Sequence, residues 1–143
     1  MDAIYHYALK LLRRRDYTVA QVRRKLTDQF GEAPEAVIDL LLKKRFLDDR
    51  RFAENFVAKR EYGHPAQVLT DLVDAGVGRE IAEAAVGART WPSLRDALKA
   101  TMEGWHLRPP LRSREATRLF RALRRLGYEE EELREELEQL HEQ

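Results

Sequence analysis

Cysteine is absent from this chain, and with it any disulfide framework or thiolate metal site. No apolar run approaches the roughly 20 residues of a membrane span. The opening MDAIYHYALKLLRRR carries neither an apolar segment led by positive charge nor a small-residue cleavage site. The expectation is a cytoplasmic protein that makes no membrane contact. No stretch alternates with the period of a strand, no glycine-rich phosphate loop occurs, and no nucleophile motif is present. The four histidines, His6, His64, His106 and His141, are scattered without ligand spacing. Catalysis, a bound metal and a cofactor are therefore not expected.

Charge is plentiful, at 36% of residues, yet sums to only +1. Its sign is segregated along the chain. Residues 10–25 hold seven basic and one acidic side chain, residues 108–125 again seven and one, and residues 128–143 one basic and eight acidic. With 43% hydrophobic residues, the balance suits helices with thin cores and wide solvated faces.

The seven glycines and five prolines cluster, as in Gly31 with Pro34, Gly63 with Pro65, and Gly76 with Gly78. The segments between clusters are of helical length. Ile4, Ala8, Leu11 and Leu12 share one helix face, as do Val19, Val22, Leu26 and Phe30, then Val37, Leu40 and Leu41. Thr18 to Gln21 reads as a capping box, Pro34 and Pro65 suit first helical positions, and Ser93 or Ser113 suits a cap. This predicts an all-α chain of nine short helices.

The chain also repeats itself. Aligning RDYTVAQVRRKLTD (15–28) with REYGHPAQVLTDLVD (60–74), with one extra residue in the second, sets Arg15, Asp16 and Tyr17 on Arg60, Glu61 and Tyr62. The same alignment sets Gln21, Val22 and Leu26 on Gln67, Val68 and Leu72. Arg15 to Arg60 and Gly31 to Gly76 are both 45 residues, whereas Gly76 to Gly127 is 51, which places an insertion near GWHLRPPLRS. Modules this small are marginal alone and gain by stacking. The expectation is three tandem three-helix units, at 1–47, 48–88 and a diverged 93–143, acting as a monomer.

Three features bear on function. In Leu47-Asp-Asp-Arg-Arg-Phe-Ala53, Asp48 or Asp49 is suited to cap the fourth helix while Phe52, Phe56 and Val57 turn into the core. A carboxylate pair also suits a divalent metal, but hard cations need more oxygen ligands than this cluster offers. In the eighth helix, Arg114, Arg118, Arg121 and Arg125 share one face over about 16 Å. Such a row repels itself and is suited to an anionic partner: nucleic-acid phosphate, an acidic protein surface, or the chain's own acidic segment Glu129 to Glu142. Arg13, Arg14 and Arg15, with Arg23, Arg24 and Lys25, form a second basic region.

The stretch FLDDRRFA (46–53), the Arg60-x-Tyr62-Gly63 motif, Leu72 with AGV at 75–77, and the opening YALKLLRRRDYTVAQVRRKL resemble the regulatory protein RecX family. LFRALRRLGYEEEEL (119–133) resembles that family's last unit, while 87–112 does not align. The motif positions carried over are Leu47, Asp48, Asp49, Phe52, Ala53, Tyr62, Gly63, Leu72 and Gly76. The resemblance implies tandem three-helix repeats in an elongated, curved molecule. It also implies binding to the RecA recombinase as a filament on single-stranded DNA, within the filament groove, and restraint of its activity. Arg50, Arg51 and Arg60 join the basic residues above as expected contacts.

A competing reading is a helical nucleic-acid-binding module that uses its arginine stripe on phosphate, with only weak direct DNA contact expected beside the RecA partner. The scarcity of Asn and of a polar recognition face argues against a sequence reader. A nuclease built on Asp48 and Asp49 is the remote third reading.

Overall fold

A computed structural model of the protein describes residues 2–141, with nothing said of the Asp2 side chain. Among them lie nine α-helices: α1 (Asp2–Arg14), α2 (Val19–Phe30), α3 (Glu35–Lys43), α4 (Asp49–Lys59), α5 (Pro65–Asp74), α6 (Arg79–Gly87), α7 (Leu94–Gly104), α8 (Ser113–Arg125) and α9 (Glu130–Leu140). No strand runs through the described residues, only an isolated bridge between Leu111 and His141. Glu142, at the end of the acidic segment, lies outside them. The fold is all-α, as its periodicity requires.

Local rules set most boundaries. The Thr18 hydroxyl accepts from the Gln21 amide at 3.1 Å and the Gln21 side chain accepts from the Thr18 amide at 3.0 Å, closing the capping box of α2. Ser93 caps α7 by accepting from the Asp96 amide at 3.1 Å. Pro34 is the residue before α3 rather than its first, and Pro65 does open α5. Ser113 is the first residue of α8, not its cap. Its hydroxyl instead meets His141 Nε2 at 3.1 Å.

The chain divides into two compact units. One comprises Met1–Lys59 with Leu69–Ala88, the other Arg60–Val68 with Arg89–Gln143. In the first, Ala8, Val22, Leu26, Val37, Ile38, Leu41 and Leu47 form a core in which none is more than 1% exposed, and α4 packs on α6. The second buries Leu98, Leu111, Leu119, Leu123, Tyr128 and Leu133 among others, where α8 packs on α7 and α9.

The expectation that Phe52 and Phe56 are core residues is corrected. Val57 is buried as expected, and its buried companion on α4 is Ala53. The two phenylalanines stand one position earlier, about 100° around the helix, half-buried and stacked on each other with centroids 6.1 Å apart. Two neighbouring apolar stripes ran along this helix, and the smaller side chains face inward.

Each unit contains a close approach of the same design. In the first, the Thr18 hydroxyl donates to the Ala75 carbonyl at 2.6 Å, and a Cβ on Gly76 would collide with the Ala20 Cβ. In the second, the His64 amide donates to the Leu126 carbonyl at 3.0 Å, and a Cβ on Gly127 would collide with the Gln67 Cβ. Both glycines adopt positive φ, at 98° and 96°. Thr18 and His64 occupy equivalent places in the repeat, so one joint is written twice. The repeated glycine thus answers a steric demand as well as a conformational one.

Candidate functional site

The acidic motif turns out to be a fastening. Asp48 accepts from the Arg51 amide at 3.1 Å, capping its own helix. Asp49 accepts instead from the Val19 amide at 2.9 Å, satisfying a free amide at the start of α2. Arg51 donates to the carbonyls of Arg45 and Phe46, at 3.0 and 3.4 Å, and Leu47 and Ala53 are buried beside them. Both carboxylates are thereby engaged by backbone amides. Among the described residues no group of three or more His, Asp or Glu is placed to hold a metal ion.

The repeated Arg-acid-Tyr motif is likewise a fastening, and it is not an ion pair in the first repeat. The Arg15 guanidinium lies 4.4 Å from the Tyr17 ring centroid, while the Asp16 carboxylate accepts from the Asn55 amide nitrogen at 3.2 Å. In the second repeat, Arg89 donates to the Arg60 carbonyl and, at 2.9 Å, to the Glu61 carbonyl. Arg89 itself stacks 4.0 Å from the Trp91 centroid. Tyr62 packs on the core of the second unit and Gly63 is buried. Nearby, burial pushes the Tyr128 hydroxyl above its usual range. That hydroxyl has no hydrogen-bond partner among the described residues.

The two basic regions differ. In the first, Arg23 is tied by both guanidinium nitrogens to Glu35, the second at 3.2 Å. This hydrogen bonding raises the Arg23 pKa and holds the Glu35 carboxyl below the usual range. Arg13, Arg14, Arg24, Lys25 and Arg50 are exposed, and Arg60 is half-buried. In the second region, Arg114, Arg118, Arg121 and Arg125 are all exposed along α8, whose opposite face buries Leu119 and Leu123. These four border a groove of about 620 Å³ with Trp105, Ser113 and Thr117, and no carboxylate lines it. Arg118 lies 4.0 Å from the Trp105 ring centroid, which holds its guanidinium in place and its charge outward.

The α9 carboxylates do not serve this row. Glu136 pairs with Arg95 at 2.9 Å and Glu130 with Arg134 at 2.6 Å. Among the described residues, the four stripe arginines have no ion-pair partner. Sequence reasoning missed Trp105 as the support of the row and Glu35 as the anchor of Arg23. Neither lies on the helix it serves, so no helical spacing announces it. No described helix is long and apolar enough to cross a membrane.

No family model matches the chain. Among curated proteins it is similar to regulatory protein RecX of Thermus thermophilus, 42% identical over 80 residues, which cover 54% of this chain and 56% of that one. The match thus spans little more than half the length of that relative. The similarity to regulatory protein RecX of Leptothrix cholodnii is 31% over 137 residues, 91% of this chain and 84% of the other. With that of Halorhodospira halophila it is 29% over 138 residues, 93% and 85%. The crystal structure of RecX from Lactobacillus salivarius superposes with a TM-score of 0.61 over 96% of both chains at 18% identity, a likeness of fold.

Proposed function

Since the chain belongs to the regulatory protein RecX family, we propose that it is a non-catalytic regulator of the RecA recombinase that binds the RecA filament and mainly inhibits it. The observation that carries the assignment to a surface is the row Arg114, Arg118, Arg121 and Arg125, exposed and lacking acidic partners among the described residues. A folded protein gains nothing in stability from four like charges held in line, so an external anion is the economical explanation. The engagement of Asp48 and Asp49 by helix amides supports a binding role over a hydrolytic one. The three-helix units at 1–47, 48–88 and 93–143 are the elements we propose to contact neighbouring RecA subunits.

A filament presents several subunits at once, so a second contact becomes effectively intramolecular. The chain therefore binds filaments on single-stranded DNA with ATP more tightly than free RecA. Affinity falls as salt rises, because exposed cations are screened. Co-sedimentation of the chain with filaments, set beside its binding to RecA without DNA, checks the ranking. RecA ATP hydrolysis and strand exchange, titrated from below stoichiometry, check inhibition. Equal affinity for both forms, with neither activity changed at saturation, contradicts the proposal.

The second reading, a nucleic-acid-binding module, draws on the Ser113 and Thr117 hydroxyls beside the arginines, a combination suited to phosphate. Binding of the chain to single-stranded DNA without RecA, at the same salt and with comparable affinity, favours it.

A further inference from the structure

A second surface lies in the first unit, made of different residues. α3 ends in a left-handed residue at Arg45, with φ 61°, where glycine is the usual occupant. The Phe46 and Leu47 amides both donate to the Leu41 carbonyl, at 2.9 and 3.2 Å, and Arg51 holds the carbonyls of Arg45 and Phe46. A strained, multiply pinned turn thus fixes Phe46, which is 43% exposed. Non-glycine residues in this conformation persist only where their surroundings enforce them, and they gather at binding sites. Phe46 stands at the edge of a pocket of about 300 Å³ whose apolar lining is Leu9, Leu12, Tyr17 and Phe52.

The charges around this pocket are unequal in availability. Its two carboxylates are engaged, Asp16 by Asn55 and Asp48 by the Arg51 amide. Arg13 and Arg45 line it too, exposed and without an acidic partner among the described residues. We infer that this pocket is a docking site for a large apolar side chain flanked by carboxylates on a partner polypeptide. The apolar lining takes the anchor, as buried aromatic and aliphatic anchors do in protein interfaces, and Arg13 and Arg45 take the flanking acid. A nucleic-acid strand is disfavoured, since the apolar lining offers a base edge nothing to bond.

The site is independent of the α8 row, so each stands or falls alone. The test uses the full chain, labelled with nitrogen-15, and four probes at low salt: capped tripeptides of Glu-Phe-Glu, Glu-Ala-Glu and Lys-Phe-Lys, and a short oligothymidylate. The first is expected to shift amide resonances of residues 9–17 and 45–52, saturably and at millimolar concentration. The lysine peptide is expected to bind about fivefold more weakly, as loss of two exposed ion pairs implies. Phe46→Ala, a change at an exposed side chain, and the pair Arg13→Glu with Arg45→Glu should each weaken binding of the first probe, with the amide spectrum otherwise unchanged. No localised shift up to about 10 mM peptide, or equal binding of the alanine peptide, overturns the inference. Stronger displacement of the same resonances by oligothymidylate overturns it in favour of a nucleic-acid site.

Discussion

The two compact units share a joint and differ in what their cations do. Gly76 packs against Ala20 in one and Gly127 against Gln67 in the other, contacts that differ by one residue in the register of the repeat. Yet among the cations of residues 10–25 Arg23 is bound to Glu35, whereas in residues 108–125 the four arginines of the α8 row have no acidic partner among the described residues. Windows of identical net charge therefore hold different amounts of available charge. Composition counts cations, and only geometry shows which are already in use.

The shared joint is the part of this comparison most easily broken. Gly127→Ala forces its Cβ into Gln67, with Gln67 Cγ at 3.1 Å and His64 Cβ at 3.2 Å beyond, and is expected to cost about 3 kcal/mol from overpacking plus left-handed strain. Gly76→Ala follows closely, because Ala20 has no flexible end to move aside. Gly31→Ala is the control, with φ 78° but no atom within 4 Å, and only strain of about 1 kcal/mol is expected there. Urea unfolding of the three variants gives the ranking. Equal losses at all three would show that the joint is not tight.

A finer comparison lies in how each joint is hydrogen-bonded. The first uses a fully buried hydroxyl that caps α2 and reaches Ala75, so Thr18→Ala should cost about 2 kcal/mol. The second uses the His64 backbone amide, which His64→Ala retains. That variant loses the cap in which Nδ1 accepts from the Ala66 amide at 3.1 Å and the edge-on contact of the ring with Tyr128, about 1.5 kcal/mol together. Smaller again is Arg51→Ala, about 1 kcal/mol or less for two exposed hydrogen bonds, read by thermal unfolding.

The smallest effect concerns pH. Glu35 ionises below the usual carboxylate range because Arg23 hydrogen-bonds to its charged form. Its stabilising contribution is complete above the unfolded value of about 4.3 and fades as pH falls through the lower folded value. The carboxyl carbon shift of Glu35 should therefore titrate below the ordinary glutamate value of about 4.3, and Arg23→Ala should raise its midpoint toward that value. A midpoint unmoved by that change would show the pair to be open in solution.

The helical layout was legible because it rests on local signals. The Thr18–Gln21 box, the apolar spacing of Val22 with Leu26, and the glycines between helices each act over a few residues. What stayed hidden acts at a distance or between equivalent choices. Asp49 serves the Val19 amide 30 residues earlier in the chain, and its neighbour Asp48 offers the same carboxylate, so no pattern tells capping of α4 from capping of α2. On α4, Val57 was expected inward and is, but the apolar Phe52 and Phe56 beside it were as eligible as Ala53, and packing against α6 chose the smaller side chain. The α8 row was readable because its arginines fall on one face of one helix. That Trp105 supports it required the fold.

The central claim, that the α8 row meets the partner, is tested by replacing Arg118, Arg121 and Arg125 together with glutamate and measuring affinity for RecA filaments on single-stranded DNA with ATP at low salt. Glutamate and arginine have similar helix propensities, and none of the three has an acidic partner among the described residues, so the melting temperature should hold. Affinity is expected to fall roughly tenfold to a hundredfold, with a shallower dependence on salt. Unchanged affinity, or a loss matched by unfolding of the variant, would contradict the account.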